Sequence, residues 1–295
     1  MNHHTNSRKG ANRLHLVFIA TLAIGLALSG WPASSVYAVS GSTVFAITTA
    51  NTLLRFDSSA PGTILSTTAV SGLQAGEKLQ GIDFRPANGQ LYGLGSTSRL
   101  YTIDLTTGVA TQVGASPFAA ALSGTNFGID FNPVVDRVRV VSDADQNLRL
   151  NPNTGALAAI DTALSYTVGD PNAGADPNIV GVAYVNNFAG ATTTTLYGID
   201  SNLDILTIQN PPNNGTLNTI GPLGFDTSGL VGFDIATADT AFASLRVSGL
   251  SELFTINLAT GAATPVGSIG TGAPAIRDIA IAPLQVVYLP LALKE

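Results

Sequence analysis

Short runs of alternating apolar and polar residues recur along the chain, separated by Gly, Asn, Asp, Ser and Thr. Gly81-Ile82-Asp83-Phe84-Arg85-Pro86 is followed by Leu91-Tyr92-Gly93-Leu94, then Leu100-Tyr101-Thr102-Ile103-Asp104-Leu105, then Val109 to Val113. Each run is strand-sized with period two, which places one face against a core. The separators Ala87-Asn88-Gly89, Ser96-Thr97-Ser98 and Thr106-Thr107-Gly108 are hairpin material, because Gly and Asn accept the positive φ of tight turns. Four short antiparallel strands are thus predicted to form one unit.

The unit returns. Gly128-Ile129-Asp130-Phe131 opens a second copy, Gly181-Val182-Ala183-Tyr184 a third and Gly232-Phe233-Asp234-Ile235 a fourth, each trailed by strand-like runs and a turn such as Thr154-Gly155, Asn214-Gly215 or Thr260-Gly261. Asp278-Ile279-Ala280-Ile281 is an opening strand with no successors. Val44 to Ile47, Leu53 to Asp57 and Thr63 to Thr67 are successors with no opening strand. The two fragments complete one another, which is how a ring closes. From Gly81 to Asp278 is 197 residues over four steps, about 49 each, near the ~40–50 residue period of propeller blades. The expected fold is therefore all-β: a five-bladed β-propeller of four-stranded antiparallel blades, closed by pairing the C-terminal strand with the N-terminal blade. An open solenoid or two stacked sheets would have no use for matched broken repeats.

Before the repeats, Arg8, Lys9 and Arg13 precede an apolar run from Leu14 to Leu28 and a small-residue exit at Val36-Tyr37-Ala38. This is the pattern of a secretory signal. The expected organisation is a signal peptide at 1–38, a propeller domain at 39–284 and an apolar tail at 285–295, with a secreted, extracellular or cell-envelope destination and no membrane span after cleavage.

That cut changes the available chemistry. His3, His4 and His15 all precede it and the chain has no Cys, so the remainder has neither imidazole nor thiol. Triads with a histidine base, thiolate nucleophiles, and zinc or haem sites with His or Cys ligands are excluded by inventory. A secreted chain without disulfides depends on packing, which suits a large core. The cut also leaves 19 acids against 10 Lys plus Arg, a balance that disfavours nucleic acid as a partner. A monomer is expected. Only three of the acids are Glu, namely Glu77, Glu252 and Glu295.

Asp83, Asp130 and Asp234 occupy one repeat position, where Ala183 and Ala280 stand in the other blades. A carboxylate ring near the channel is one reading; acceptors for neighbouring backbone or Arg groups is the other, and it is favoured because repeated residues maintain a repeat. In the next blade Tyr92 and Tyr101 align with Arg139 and Arg149. Two guanidinium groups on adjacent strands need carboxylate partners, with Asp130 a candidate, or an anionic ligand such as a carboxylated glycan. Arg139, Gln146, Asn147, Arg149 and Glu77 are the candidate ligand-binding residues. Asp143-Ala144-Asp145-Gln146-Asn147 alternates oxygen ligands as the opening of a calcium loop does, yet lacks the Gly and Glu of an EF-hand. Asp170, Asn172, Asp176 and Asn178 fall in a long Gly/Pro-punctuated connection. Asp143, Asp145, Asn147, Asp170 and Asp176 are accordingly the candidate metal ligands, with Ca2+ as the ion.

The motifs GIDFRP, LYTIDLTTG, QNLRLNP, GDPNAGADPNIVG and TTTTLYGID, in this order over about residues 43–283, resemble a secreted bacterial family known mainly as a domain of unknown function. The resemblance implies a propeller-like repeat and transfers no catalytic residue. The functional expectation is a non-catalytic binding or surface-interaction module for carbohydrate or an extracellular protein, worked by the loops of the third blade. The alternative is a carboxylate-based glycoside hydrolase or other extracellular hydrolase on the same scaffold, with Glu77 and Glu252 as the acids to consider.

Overall fold

The computed structural model describes residues 41–236 and 240–283; the expected signal peptide and tail lie outside the described residues. Strands β1 (Thr43–Thr48), β2 (Thr52–Asp57) and β3 (Ile64–Ala69) begin the first blade. The second comprises β4 (Leu79–Phe84), β5 (Leu91–Gly95), β6 (Arg99–Ile103) and β7 (Ala110–Val113). The third comprises β8 (Phe127–Asn132), β9 (Arg137–Ser142), β10 (Asn147–Leu150) and β11 (Leu157–Ile160). After the short β12 (Ser165–Tyr166) come β13 (Ile179–Tyr184), β14 (Leu196–Asp200), β15 (Ile205–Gln209) and β16 (Thr216–Pro222), forming the fourth blade. The fifth is β17 (Gly232–Ile235), β18 (Ala241–Val247), β19 (Leu250–Ile256) and β20 (Ala263–Ser268), and the last strand is β21 (Ile276–Ile281).

Each blade is an antiparallel meander, and β21 pairs with β1 in the order β21-β1-β2-β3, from Val44 opposite Ile281 to Thr48 opposite Ile276. The chain is therefore a five-bladed propeller whose first blade is stitched from both ends of the repeat region. One addition escapes the repeat pattern: β12 runs parallel to the outer edge of the fourth blade, Ser165 opposite Thr216 and Tyr166 opposite Leu217. It covers an edge that would otherwise expose unpaired backbone groups.

Strands β4, β8, β13, β17 and β21 line the axis, each beside the next, and β21 returns to β4. Five strands converging on one axis leave little room for side chains, and this explains the Gly that opens four of the five repeats. A Cβ on Gly232 would fall 2.5 Å from the Ile279 N, and one on Gly128 would fall 2.8 Å from the Val182 N. The fifth strand carries Asp278 at this position, and its carboxylate fills the space that Gly81 leaves open: a Cβ on Gly81 would lie 2.8 Å from Asp278 Oδ2.

Farther out, apolar faces of successive blades pack together. Tyr92, Leu94 and Leu100 of the second blade meet Ile129, Phe131 and Val140 of the third, while Phe45 and Ile47 of the first meet Ile82, Phe84 and Tyr101 of the second. Arg85, at the end of β4, is ion-paired with Asp136 in the β8–β9 turn and donates to the Tyr92 hydroxyl, tying the second blade to the third. The turns between third and fourth strands are built on Asx acceptors. Asp104 Oδ1 accepts from the N–H of Thr106 and Thr107, and Asn257 Oδ1 from those of Ala259 and Thr260. This is why Asp or Asn precedes each Thr-Gly pair.

Candidate functional site

The axis concentrates carboxylates. Asp83, Asp234 and Asp278 each accept one N–H from the next residue on their own strand and one from the neighbouring inner strand. Asp83 takes Phe84 N and Phe131 N at 2.6 and 2.8 Å; Asp234 takes Ile235 N and Ile281 N; Asp278 takes Ile279 N and Ile82 N, both at 2.9 Å. These acceptors clasp successive blades around the ring, the role that the repeat position suggested for Asp83 and Asp234. Asp278 joins them although it sits two residues earlier in its repeat, so a search for the shared Asp position passes over it.

Asp130 departs from this scheme. It faces the Tyr184 N–H, the equivalent neighbour, but neither of its oxygens reaches hydrogen-bonding geometry with a described group, and the residue is 1% exposed. An oxygen from each of Asp83, Asp130 and Asp234 lies within 4.8 Å of the others. Burial, and then the neighbouring carboxylates, push Asp83 and Asp130 well above the usual carboxylate range. Burial also raises Asp278, and lifts Asp234 to about 6 against the opposing effect of its two N–H donors.

The third-blade cations are committed internally. Arg139 is 2% exposed and donates to Asn147 Oδ1 and Asp161 Oδ2, each at 2.6 Å, and to Asn213 Oδ1 at 2.8 Å. Arg149 grips the same Asp161 in bidentate fashion at 2.8 and 2.9 Å. The carboxylate partner is thus Asp161, beyond the end of β11, and not Asp130. Register corrects the alignment as well. Asp83, Tyr92 and Thr102 stand opposite one another in the second blade, and Asp130, Arg139 and Arg149 in the third, so Arg149 replaces Thr102 and not Tyr101. Counting back from the Asx turns, Asp104 and Asn151, would have given this registration. Asn147 donates to the Thr162 and Pro212 carbonyls, joining the third blade to the fourth, and Gln146 bonds Ala121 O and Ser123 N.

Of the loop carboxylates, Asp143 accepts from the Thr125 and Asn126 N–H groups and the Asn126 side chain. Asp170 accepts from the Thr219 N–H and hydroxyl and from the Asn172 N–H. Both therefore act as loop ties. Asp145 and Asp176, from separate loops, are brought together. Burial, and then Asp176, push Asp145 up to about 6. Glu77 is buried before β4 and accepts from Tyr101 OH, the Thr97 N–H and hydroxyl, and Gln74 N. Burial raises this carboxyl, yet the four donors outweigh it and hold it below the usual range. Glu77 thus staples the β5–β6 hairpin.

A cleft that the sequence did not single out lies between the first two blades. It encloses about 650 Å3 and is lined by Ser42, Thr43, Arg55, Ser66, Thr68 and Thr106, with Phe45 and Phe84 among its other walls. Arg55 is exposed, and its guanidinium forms no hydrogen bond or ion pair with a described residue. A second concavity of about 600 Å3 continues past Leu105 and Thr106 and adds Thr102, Thr107 and Thr111. Hydroxyl-rich walls beside a guanidinium without a described partner can hold a polar ligand bearing an anionic group.

These features define a five-bladed propeller with a carboxylate-lined axis. A family model described as a domain of unknown function, DUF4394, matches residues 52–280, and the chain belongs to that family. No curated protein matches. Among solved structures, a structural genomics protein of unknown function from Bacteroides thetaiotaomicron is similar at 13% identity and a TM-score of 0.50, over 83% of this chain and 65% of that one. The chain thus spans about two thirds of that protein's length. Glutaminyl cyclase from Myxococcus xanthus is similar at 12% identity and a TM-score of 0.42, over 70% of this chain and 83% of the other.

Proposed function

We propose that this protein is a secreted, non-catalytic binding module that holds an anionic carbohydrate in the cleft between its first and second blades. The observation that carries this reading is Arg55, an exposed cation without a described partner at the edge of a hydroxyl-lined concavity. An isolated guanidinium in such a setting selects a carboxylate or sulfate, while Ser and Thr hydroxyls offer both donors and acceptors to sugar hydroxyls. Among the described residues the 650 Å3 cleft is lined by no carboxyl group and the adjoining concavity by Asp104 alone, short of the pair that a glycosidase uses. Glu77, the acid closest to this role by sequence, is committed to the β5–β6 hairpin. The rigid, closed sheet system supplies a preformed surface, which lowers the ordering cost of binding.

The test is a glycan array carrying uronate-containing and sulfated chains beside neutral ones, followed by titration of the best hit. Arg55→Ala should weaken binding by about tenfold or more, since a hydrogen bond to a charged group contributes about 1.5–3 kcal/mol, and Thr68→Ala by less. Equal binding by Arg55→Ala, or hits among neutral chains alone, would overturn the reading. N-terminal sequencing of protein recovered from culture medium, with Val39 as the first residue, tests the secreted form.

A further inference from the structure

We propose that the propeller axis is a binding site for one calcium ion, held by Asp83, Asp130 and Asp234. This site is independent of what the cleft binds. Three carboxylates meet at the narrowest part of the fold, on β4, β8 and β17, each at most 2% exposed, with one oxygen from each within 4.8 Å of the others. Two oxygens coordinating one calcium at about 2.3–2.6 Å stand no more than about 5 Å apart, so the three fit a single ion.

Asp130 supplies the second observation. A buried carboxylate without a partner is costly, and the equivalent residues in the second and fifth blades each satisfy both oxygens with backbone N–H groups. Asp130 satisfies neither, although it too faces its neighbour's N–H. Both of its oxygens are free to coordinate a cation from within the cluster. Donation by two N–H groups each fixes the Asp83 and Asp234 carboxylates while leaving lone pairs unused, which is the support that ordered metal ligands require. Asp278, one layer away on β21, adds a fourth negative charge to the field at the site. A hard divalent cation with all-oxygen ligands is what this donor set selects; soft or borderline metals would call for imidazole or thiolate.

The experiment measures metal in the full chain as purified, by inductively coupled plasma mass spectrometry, and then titrates CaCl2 into protein unfolded and refolded in EGTA. Wild type should carry close to one calcium per chain. It should show a saturable heat of the same stoichiometry and gain about 5–10 °C in melting temperature at calcium a hundredfold above Kd. Asp130→Asn keeps the size of the side chain and removes a buried charge. This variant should fold, melt no lower than calcium-free wild type, and lose both the bound metal and the calcium-dependent shift. Asp145→Asn, in the third-blade loop, should retain both. The proposal is overturned if purified wild type holds no calcium and its melting curve ignores the ion. It is equally overturned if Asp130→Asn binds as wild type does, or if Asp145→Asn is the variant that loses calcium.

Discussion

Arg139 offers the sharpest test of how this propeller is held together. Its guanidinium lies under the third blade, 2% exposed, and satisfies Asn147 of its own sheet, Asp161 after β11 and Asn213 of the fourth blade. Arg139→Ala takes the donor from Asn213 Oδ1, leaves Asn147 Oδ1 with only the 3.3 Å contact from Gln209, and leaves the Asp161 carboxylate, 6% exposed in its side chain, to Arg149 alone. Breaking a buried pair from one side costs about 3–5 kcal/mol. Arg149 binds the same Asp161 but is 31% exposed in its side chain, so solvent screens that pair and its removal should cost about 1 kcal/mol. With a melting shift of about 2–4 °C per kcal/mol for a domain of this size, Arg139→Ala should melt at least about 6 °C lower and Arg149→Ala only about 2–4 °C lower. Urea denaturation followed by far-UV circular dichroism gives the free energies directly. If the two variants lose equal stability, or if Arg139→Ala melts within 2 °C of wild type, burial is not what sets the strength of this network.

Two further outcomes follow from the same physics. Gly232→Ala forces a Cβ to 2.5 Å from the Ile279 N at the crowded axis; it should cost about 3 kcal/mol in urea denaturation. Gly224→Ala, at φ +83° with nothing within 4 Å, should cost only about 1 kcal/mol. The reverse order would refute the crowding argument. Asp145, raised to about 6 by burial and Asp176, binds more proton folded than unfolded between its ordinary value of about 3.9 and 6. Its contribution to stability is therefore full below pH 4 and is lost as pH rises through 6. In EGTA, Asp145→Asn should gain on wild type across that window and hold a constant margin above it, and parallel urea midpoints from pH 4 to 8 would contradict this.

The blades were legible because their signal is local and repeated. Period-two alternation, Asx-Thr-Gly turns and two complementary fragments at the ends identify the strands and the closure, and β21 pairs with β1 as expected. The parallel strand β12 was not, since two residues, Ser165 and Tyr166, carry no periodicity of their own. Side-chain partners were harder. Asp161 lies 22 residues from Arg139, and only the outward course of β10 and β11 brings it back to that cation. The role of Asp278 was hidden by its shift of two residues relative to the other inner-strand aspartates, a shift that makes sense only when Gly81 is seen to leave it room. The Arg55 cleft is built from residues scattered between 41 and 283, so no single stretch announces it.

The union of β21 with β1 also bears on how the chain matures. During synthesis β1 emerges early and must wait for residues 276–281 before its inner edge is covered. For that whole interval an apolar strand, Val44 to Ile47, presents open backbone groups to any passing extended segment. Chains that stall or are clipped before β21 would keep four nearly finished sheets and one sticky border, making the last strand a gatekeeper of solubility. Rejoining the ends elsewhere, by opening the ring at the β7–β8 connection, would make β21 and β1 neighbours in time as well as in space and relieve that wait.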